Sequence, residues 1–542
     1  MKKIYRFLLS SGVILSLSNA AHAQVPTMIK DINPGVASST VSSAVVMGVN
    51  LYGQINDGVN GGELWKSDGT LAGTMLVKDV NPGSATSNPN GFVMMGGNLY
   101  YSCNDGVNGI EVWKSDGTTA GTMMIKDINP GSAGCNPIGF KTIGTYVYFG
   151  ANTATNGYEL WRTDGTLAGT TMIKDINPGT ASSIPFGFTV LGPNFYFMAN
   201  DGVNGAELWT SDGTSGGTNM VKDINTGTVS AQPLNFNVMG STLYFTATTA
   251  TNGQELWKSD GTSGGTVLVK DINTGTVSAS PNNFCIMGTT IYFSANDGTN
   301  GVELWKSDGT TAGTVLIKDI NAGAVNSSPN GLVVLGTNIY FQATTAANGA
   351  ELWKSDGTGA GTILLKDINP GAAASNAGSI LVMGFNMYFR ADNGVNGAEL
   401  WESDGTAAGT MMAYDINPGA AASSPNFFVA LGSTLCFAAT TAANGTELWS
   451  FTPSTVGVQN LSALNSEILV YPNPANNSLF IRGDKNSEVA IVDLNGRMIL
   501  NKKLDAQVLN EINTSELNSG MYLIKITDMN GAVKTQKINI QK

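Results

Sequence analysis

Apolar and polar residues alternate in short blocks along most of this chain, and the blocks come in sets of four. Between positions 91 and 128 the apolar runs are Gly91 to Gly96 (GFVMMG), Asn98 to Ser102 (NLYYS), Gly109 to Ser115 (GIEVWKS) and Thr122 to Ile128 (TMMIKDI). Runs this short, rich in Val, Ile, Met and aromatics and divided by Gly, Asn and Asp, predict four antiparallel strands. Nothing in the set has the period of a helix. The set then returns. Trp65, Trp113, Trp161, Trp209, Trp257, Trp305, Trp353, Trp401 and Trp449 are all nine tryptophans of the chain, and every step between them is 48 residues. A strict period of this size predicts stacked units that cannot bury their apolar faces alone.

The residues between the runs are turn formers with separate physical reasons. Asn60-Gly61 and its equivalents divide the second run from the third, where positive φ costs Asn and Gly little. Asp68-Gly69-Thr70 turns the third run into the fourth. Asp127-Ile128-Asn129-Pro130-Gly131 ends the fourth, with Pro presetting one φ and Gly supplying the positive one of a type II turn. Where Thr226, Thr274 or Ala322 replaces Pro, the Gly remains, as such a turn requires. Glu63 recurs in all nine third strands and Lys78 in eight of nine fourth strands, with Tyr414 the exception. A hairpin symmetric about Thr70-Leu71 sets Glu63 opposite Lys78, so a ladder of Glu–Lys pairs is expected across neighbouring strands.

Four-stranded units of 48 residues fall between the blade lengths of known propeller repeats, roughly 40 to 50 residues. The repeat region opens on a fourth strand, Met28 to Asn33, and ends after a third strand at Trp449. Those fragments make one complete blade, whereas a linear solenoid would need capping units. The expected fold is all-β: a β-propeller of nine four-stranded blades with its N-terminal strand closing the last one. Common propellers have about four to eight blades, so two unequal rings or an open superhelix are the alternatives.

Charge and composition narrow the function. Residues 24–459 carry 16 Lys and Arg against 32 Asp and Glu, while residues 460–542 carry 9 against 8. An acidic array repels phosphates and anionic lipid, so nucleic acid and membrane surfaces are not expected partners. The sole histidine, His22, lies in an N-terminal stretch with Lys2, Lys3, Arg6, an apolar run from Phe7 to Leu17, and Ala21-His22-Ala23 before Gln24. This is the pattern of a secretory signal peptide cleaved between Ala23 and Gln24. The mature chain then has no histidine for a triad, a general base or a metal site. No later run is long enough to cross a membrane as a helix. Cys103, Cys135, Cys285 and Cys436 sit at four different repeat positions, so they read as isolated buried residues, with a Cys103–Cys135 bridge as the one pairing considered.

Three kinds of chemistry can be weighed. The loop Asp57-Gly58-Val59-Asn60-Gly61 recurs at Asp105, Asp201 and Asp297, with Asp392 shifted, and an oxygen-rich loop is a candidate calcium site. Thr153, Thr249, Thr345 and Thr441 stand in for Asp57 in the other copies, which favours a turn over a cofactor site. The tryptophans suit a sugar-stacking row, but their fixed place within a strand makes them wedges between blades. Catalysis by paired carboxylates needs unlike environments, and 31 of the 32 repeat acids fall at four recurring positions, the last being Glu402. Lys141 and Arg390 are the irregular charges, too few to make a site.

Glu63-Leu64-Trp65-Lys66-Ser67-Asp68-Gly69-Thr70 and its copies to Glu399–Thr406 resemble the ELWxxDGT repeat family of exported bacterial proteins, over residues 28–450, with Val112 replacing Leu once. Beyond a polar linker at 451–466, residues 467–542 alternate as strands and suggest a small β-sandwich. Tyr471-Pro472-Asn473-Pro474, Leu494-Asn495-Gly496-Arg497, Leu517–Lys525 and the closing Lys534 to Lys542 resemble the C-terminal sorting domain of the type IX secretion system. The resemblance implies a Bacteroidota-like cell, the type IX machinery as partner, passage across the outer membrane, and release or surface attachment. The organisation expected is a signal peptide (1–23), repeat propeller (24–450), linker (451–466) and sorting domain (467–542). The function expected is binding of extracellular protein or glycan without catalysis. The alternatives are a polysaccharide hydrolase or lyase and a purely structural surface protein.

Overall fold

The computed structural model describes residues 25–453, 469–471, 478–482, 488–493, 498–504, 510–527 and 533–541. The chain divides into two compact units, Met1–Pro453 and Ser454–Lys542. The described residues of the first are all-β and form nine four-stranded antiparallel sheets. In blade 1 the strands are Val41–Met47, Asn50–Asn56, Gly62–Ser67 and Met75–Lys78, and the pattern returns to blade 8, which ends at Met411–Tyr414. Blade 9 takes three strands from Asn426–Leu431, Thr434–Thr441 and Gly445–Phe451, and its fourth from the N-terminal Thr27–Lys30. Met28 lies opposite Trp449 and Thr27 opposite Ser450. First strands neighbour one another in sequence, and Asn426–Leu431 of blade 9 lies beside Val41–Met47 of blade 1. One cycle of nine therefore forms, rather than two rings or an open superhelix.

Each core lies between blades. Trp65 packs with Ile29, Leu448 and Ala438 of blade 9 as well as Leu51 of its own blade. Trp161 does the same with Tyr100, Val112 and Ile125 of blade 2. The second strands carry an aromatic that is fully buried in most blades, such as Phe149, Phe245 and Phe341. Eight of the tryptophans are no more than 8% exposed, so they serve as wedges rather than sugar platforms.

The Glu–Lys ladder does not form, and the cause is a bulge. Lys66 pairs with Met75 and Trp65 with Leu76, as a hairpin symmetric about Thr70-Leu71 demands. An extra residue, Val77, then shifts Lys78 opposite Leu64. The same slip recurs in blades 2 to 8. One further expectation needs correction. Phe451 belongs to the last strand of the ring rather than to a linker, and is buried with its ring 6.0 Å from that of Tyr388. Cys103 and Cys135 are free thiols in different inter-blade cores, so no bridge joins them.

The second unit has a three-stranded sheet (Leu469–Tyr471, Ser478–Arg482, Asn510–Asn513) and a four-stranded one (Met498–Lys503, Glu488–Val492, Gly520–Thr527, Val533–Ile540). Leu479, Ile481 and Ile512 of one meet Val489, Ile491, Ile524 and Ile538 of the other, giving a seven-stranded sandwich. Signal residues Ala23 and Gln24, and the stretches 472–474 and 494–497 of the tail motifs, lie outside the described residues. Among those described, no helix is long and apolar enough to cross a membrane.

Candidate functional site

The recurring charges are engaged in holding blades together. Glu63 opens the third strand, is fully buried, and accepts hydrogen bonds from the Val80 and Ser87 amides (3.0 and 2.9 Å) and from Ser87 Oγ (2.6 Å). It thereby fastens the crossover from one blade to the next. Glu207 and Glu255 accept two comparable amide bonds each, but Ala231 and Ala279 replace the serine. Burial pushes the carboxyls of Glu159, Glu207 and Glu255 up to about 7, and that of Glu447 to about 6.

Lysines do a matching job at the other end of each blade. Lys78 Nζ donates to the Thr122 carbonyl of blade 2 at 2.8 Å and lies 5.9 Å from the Trp113 ring centre. Lys66 donates to the Gly117 carbonyl of the same hairpin at 2.9 Å. Gly117 has φ +86°, and a Cβ there would overlap the Tyr52 hydroxyl of blade 1, so glycine is needed twice over. Eight lysines of the first kind and five Lys or Arg of the second make such struts. Blade 8 has Tyr414 and Glu402 at those places. Blade 9 is open between its third and fourth strands, so it has no hairpin to receive a strut.

The proposed calcium residues are not brought together. Asp57, Asp105, Asp201 and Asp297 occupy separate loops in blades 1, 2, 4 and 6. In each, Oδ1 accepts the amides two and three residues on, and Oδ2 accepts an Asn side chain; for Asp57 these distances are 3.0, 2.7 and 2.6 Å. Burial opposes the charge, yet these donors together hold the carboxyls below their ordinary value. In blade 3, Thr153 Oγ1 accepts the Asn156 amide at 3.1 Å and the loop closes without a carboxylate. Among the described residues no group of three His, Cys, Asp or Glu is placed to hold a metal. A hard cation wants six to eight oxygens, which a carboxylate committed to its own loop does not supply.

One uncommitted charge lies on the innermost wall. The nine first strands contain no acidic residue and a single basic one, Lys141. Lys141 is exposed, and its ammonium has no hydrogen-bond partner among the described residues. Each first strand has a register slip near its start, with the bulged residue at positive φ: Gly91, Gly139, Gly187 and Asn235 are examples. A bulge leaves backbone polar groups unpaired on the strand. A cleft of about 360 Å³ crosses blades 3, 4 and 5, lined among others by Phe140, Lys141, Phe186, Phe188, Asn235 and Phe236. A second, of about 350 Å³ in blades 1 to 3, shares Gly139 and Phe140 with it, so the two run on as one groove.

Phe186 is 45% exposed. Asn90, Asn282, Asn330 and Asn426 hold its place in other copies, while Val45, Val93 and Val333 hold that of Lys141. Lys141 stands out in the sequence as an irregular charge, but its neighbourhood does not, because Phe186 lies 45 positions further on. Aligning the copies on one another and marking departures within the first strand would have found both.

Residues 469–541 match the model of a secretion system C-terminal sorting domain. The tail is that of type IX export. The protein is therefore carried across the outer membrane to the cell surface or the extracellular space. No curated protein matches the chain. Among solved structures it is similar to the computationally designed protein Ika8, at 13% identity and TM-score 0.38 over 68% of this chain and 98% of that one. It is also similar to the extracellular domain of the one component system BT4673 from B. thetaiotaomicron, at 12% and 0.31 over 93% and 76%. A third likeness is to prolyl endopeptidases, at 9% and 0.38 over 82% and 54%, so the chain spans about half of their length. Similarity at that level says nothing of ligand or reaction.

Proposed function

We propose that the repeat array is a non-catalytic binding module displayed outside the cell, recognising extracellular glycan or protein at the inner wall of the ring. The observation that carries this reading is the commitment of the recurring carboxylates. The nine buried glutamates fasten crossovers and the turn aspartates Asp57 and Asp68 hold their own loops, while Asp79 and Asp175, half-buried near the glutamates, give Oδ2 to a turn amide or an Asn side chain and keep Oδ1 buried. Hydrolysis of a glycosidic bond by two carboxylates asks for one raised and one ordinary acid facing a shared space. Here the raised glutamates are sealed in cores, and the lowered Asp57 and Asp68 are held within their own loops, so neither set faces a shared open space with the other. A purely structural role leaves the unmatched residues of the wall, Lys141 and Phe186, without a reason.

The full chain tested against immobilised glycans and extracellular proteins, with reducing ends measured in the same wells, separates the readings. Retention without new reducing ends is the expected result. Release of product would replace binding by catalysis, and retention of nothing would favour a structural role.

A further inference from the structure

We propose, resting on the binding reading above, that the groove across the first strands of blades 1 to 5 takes a carboxylate-bearing polysaccharide, with Lys141 reading the carboxylate and Phe186 the sugar face. Three observations converge there. The first is electrostatic. Thirteen of the sixteen repeat cations are engaged in struts, and Lys141 is exposed on a wall that carries no acid of its own. The acids that make the array repel anions all lie off the first strands, so the one wall where Lys141 stands without an acid is the place where an anionic group is drawn in rather than repelled.

The second is chemical. The groove alternates aromatic rings with polar groups: Phe140, Phe186 and Phe236 with Asn235, Thr189 and bulged backbone. Ring ligands with an apolar face and hydroxyl edges use both kinds of surface, whereas an apolar peptide would leave the polar groups dry and unpaired. The third is shape. Two clefts of about 360 and 350 Å³ joined at Phe140 suit a chain of sugar rings better than a single one. The departures from the repeat fall in the same place. Lys141, Thr142 and Phe186 each have no counterpart at the matching position of any other blade. In an array of copies, a site for one ligand has to be written where the copies differ.

The test uses substitutions the fold already accommodates. Lys141→Val and Phe186→Asn place in blades 3 and 4 the residues that blades 2 and 7 carry, so both variants should fold and melt like the parent. The probes are polygalacturonate, polymannuronate and hyaluronan, each beside its methyl ester, which has the same rings without the charge. The full chain is expected to bind at least one acidic polymer. Lys141→Val should weaken that binding roughly tenfold or more, the loss of one charge-assisted hydrogen bond, and leave the ester's binding unchanged. Phe186→Asn should weaken both. Binding of no acidic polymer, or binding indifferent to both substitutions, overturns the assignment even if a neutral glycan or a protein is retained, in which case the binding reading stands. Shortening of the bound polymer would instead remove the non-catalytic reading while leaving the groove as the site.

Discussion

Glu207 and Glu255 are carboxylates placed where water does not reach, held by amide donors alone. Burial is the largest influence on both, and it raises their carboxyls to about 7 from an ordinary 4.5. The folded state therefore binds their protons more tightly than the unfolded chain does. The stability they lend is fully present below pH 4.5 and is lost as pH rises through about 7. The turn aspartates work in a different window. Asp68 and Asp116 are held below 3.8 chiefly by a threonine hydroxyl, so their contribution is lost only as pH falls through that lower range. The melting temperature should thus peak in mild acid near pH 5 and decline toward pH 8. Glu255→Gln should flatten part of that decline. It should also lower stability at every pH by about 1–3 kcal/mol, because the carboxamide faces an amide donor with a donor of its own. A melting temperature that rises from pH 5 to pH 8 would contradict the assignment.

At the scale of the hairpin, the Asp-Gly-Thr turn of one blade is the docking point for the blade before it. Tyr52, Lys66 and Lys78 of blade 1 all reach the hairpin of blade 2. Replacing a strut such as Lys270 with Met keeps the stem over Trp305 but strands the Thr314 carbonyl, at a cost of about 1 kcal/mol. The reciprocal change separates this account from general charge effects. Restoring lysine at Tyr414 should not stabilise the ring, because blade 9 presents no hairpin to accept it. Thermal unfolding of the two variants checks both statements, and a gain from Tyr414→Lys would show that the strut acts without its acceptor.

The strands, the blade count and the closing strand were legible because period, turn residues and apolar runs all register as local pattern. The partners of Glu63 and Lys78 were not. A single bulged residue, Val77, reverses the pairing, and nothing in Met75-Leu76-Val77-Lys78 marks where a strand slips. The groove was half legible for a related reason: its charge is visible in the sequence, but its walls come from five blades.

Over the whole ring, closure depends on four N-terminal residues pairing with the last strand. Thr27–Lys30 contributes more than a ladder. Ile29 and Ile32 fill the core around Trp65, Lys30 donates to the Thr74 carbonyl of blade 1, and the Ile32 and Asn33 amides bind the buried Glu447. Removing residues 25–33 from the full chain takes all of these at once and leaves the buried Glu447 carboxylate without its two amide donors, a change of the kind that costs most. It also exposes Gly445–Phe451 as an unpaired edge, and such edges recruit other chains. The truncated protein should melt earlier, over a broader range, and form concentration-dependent oligomers on light scattering. A synthetic peptide of residues 25–35 should restore the monomer and the sharp transition by occupying the vacated place in blade 9. Should the truncated chain stay monomeric and melt like the parent, the blades would be holding one another without the N-terminal strand, and the closing role given to it here would be wrong.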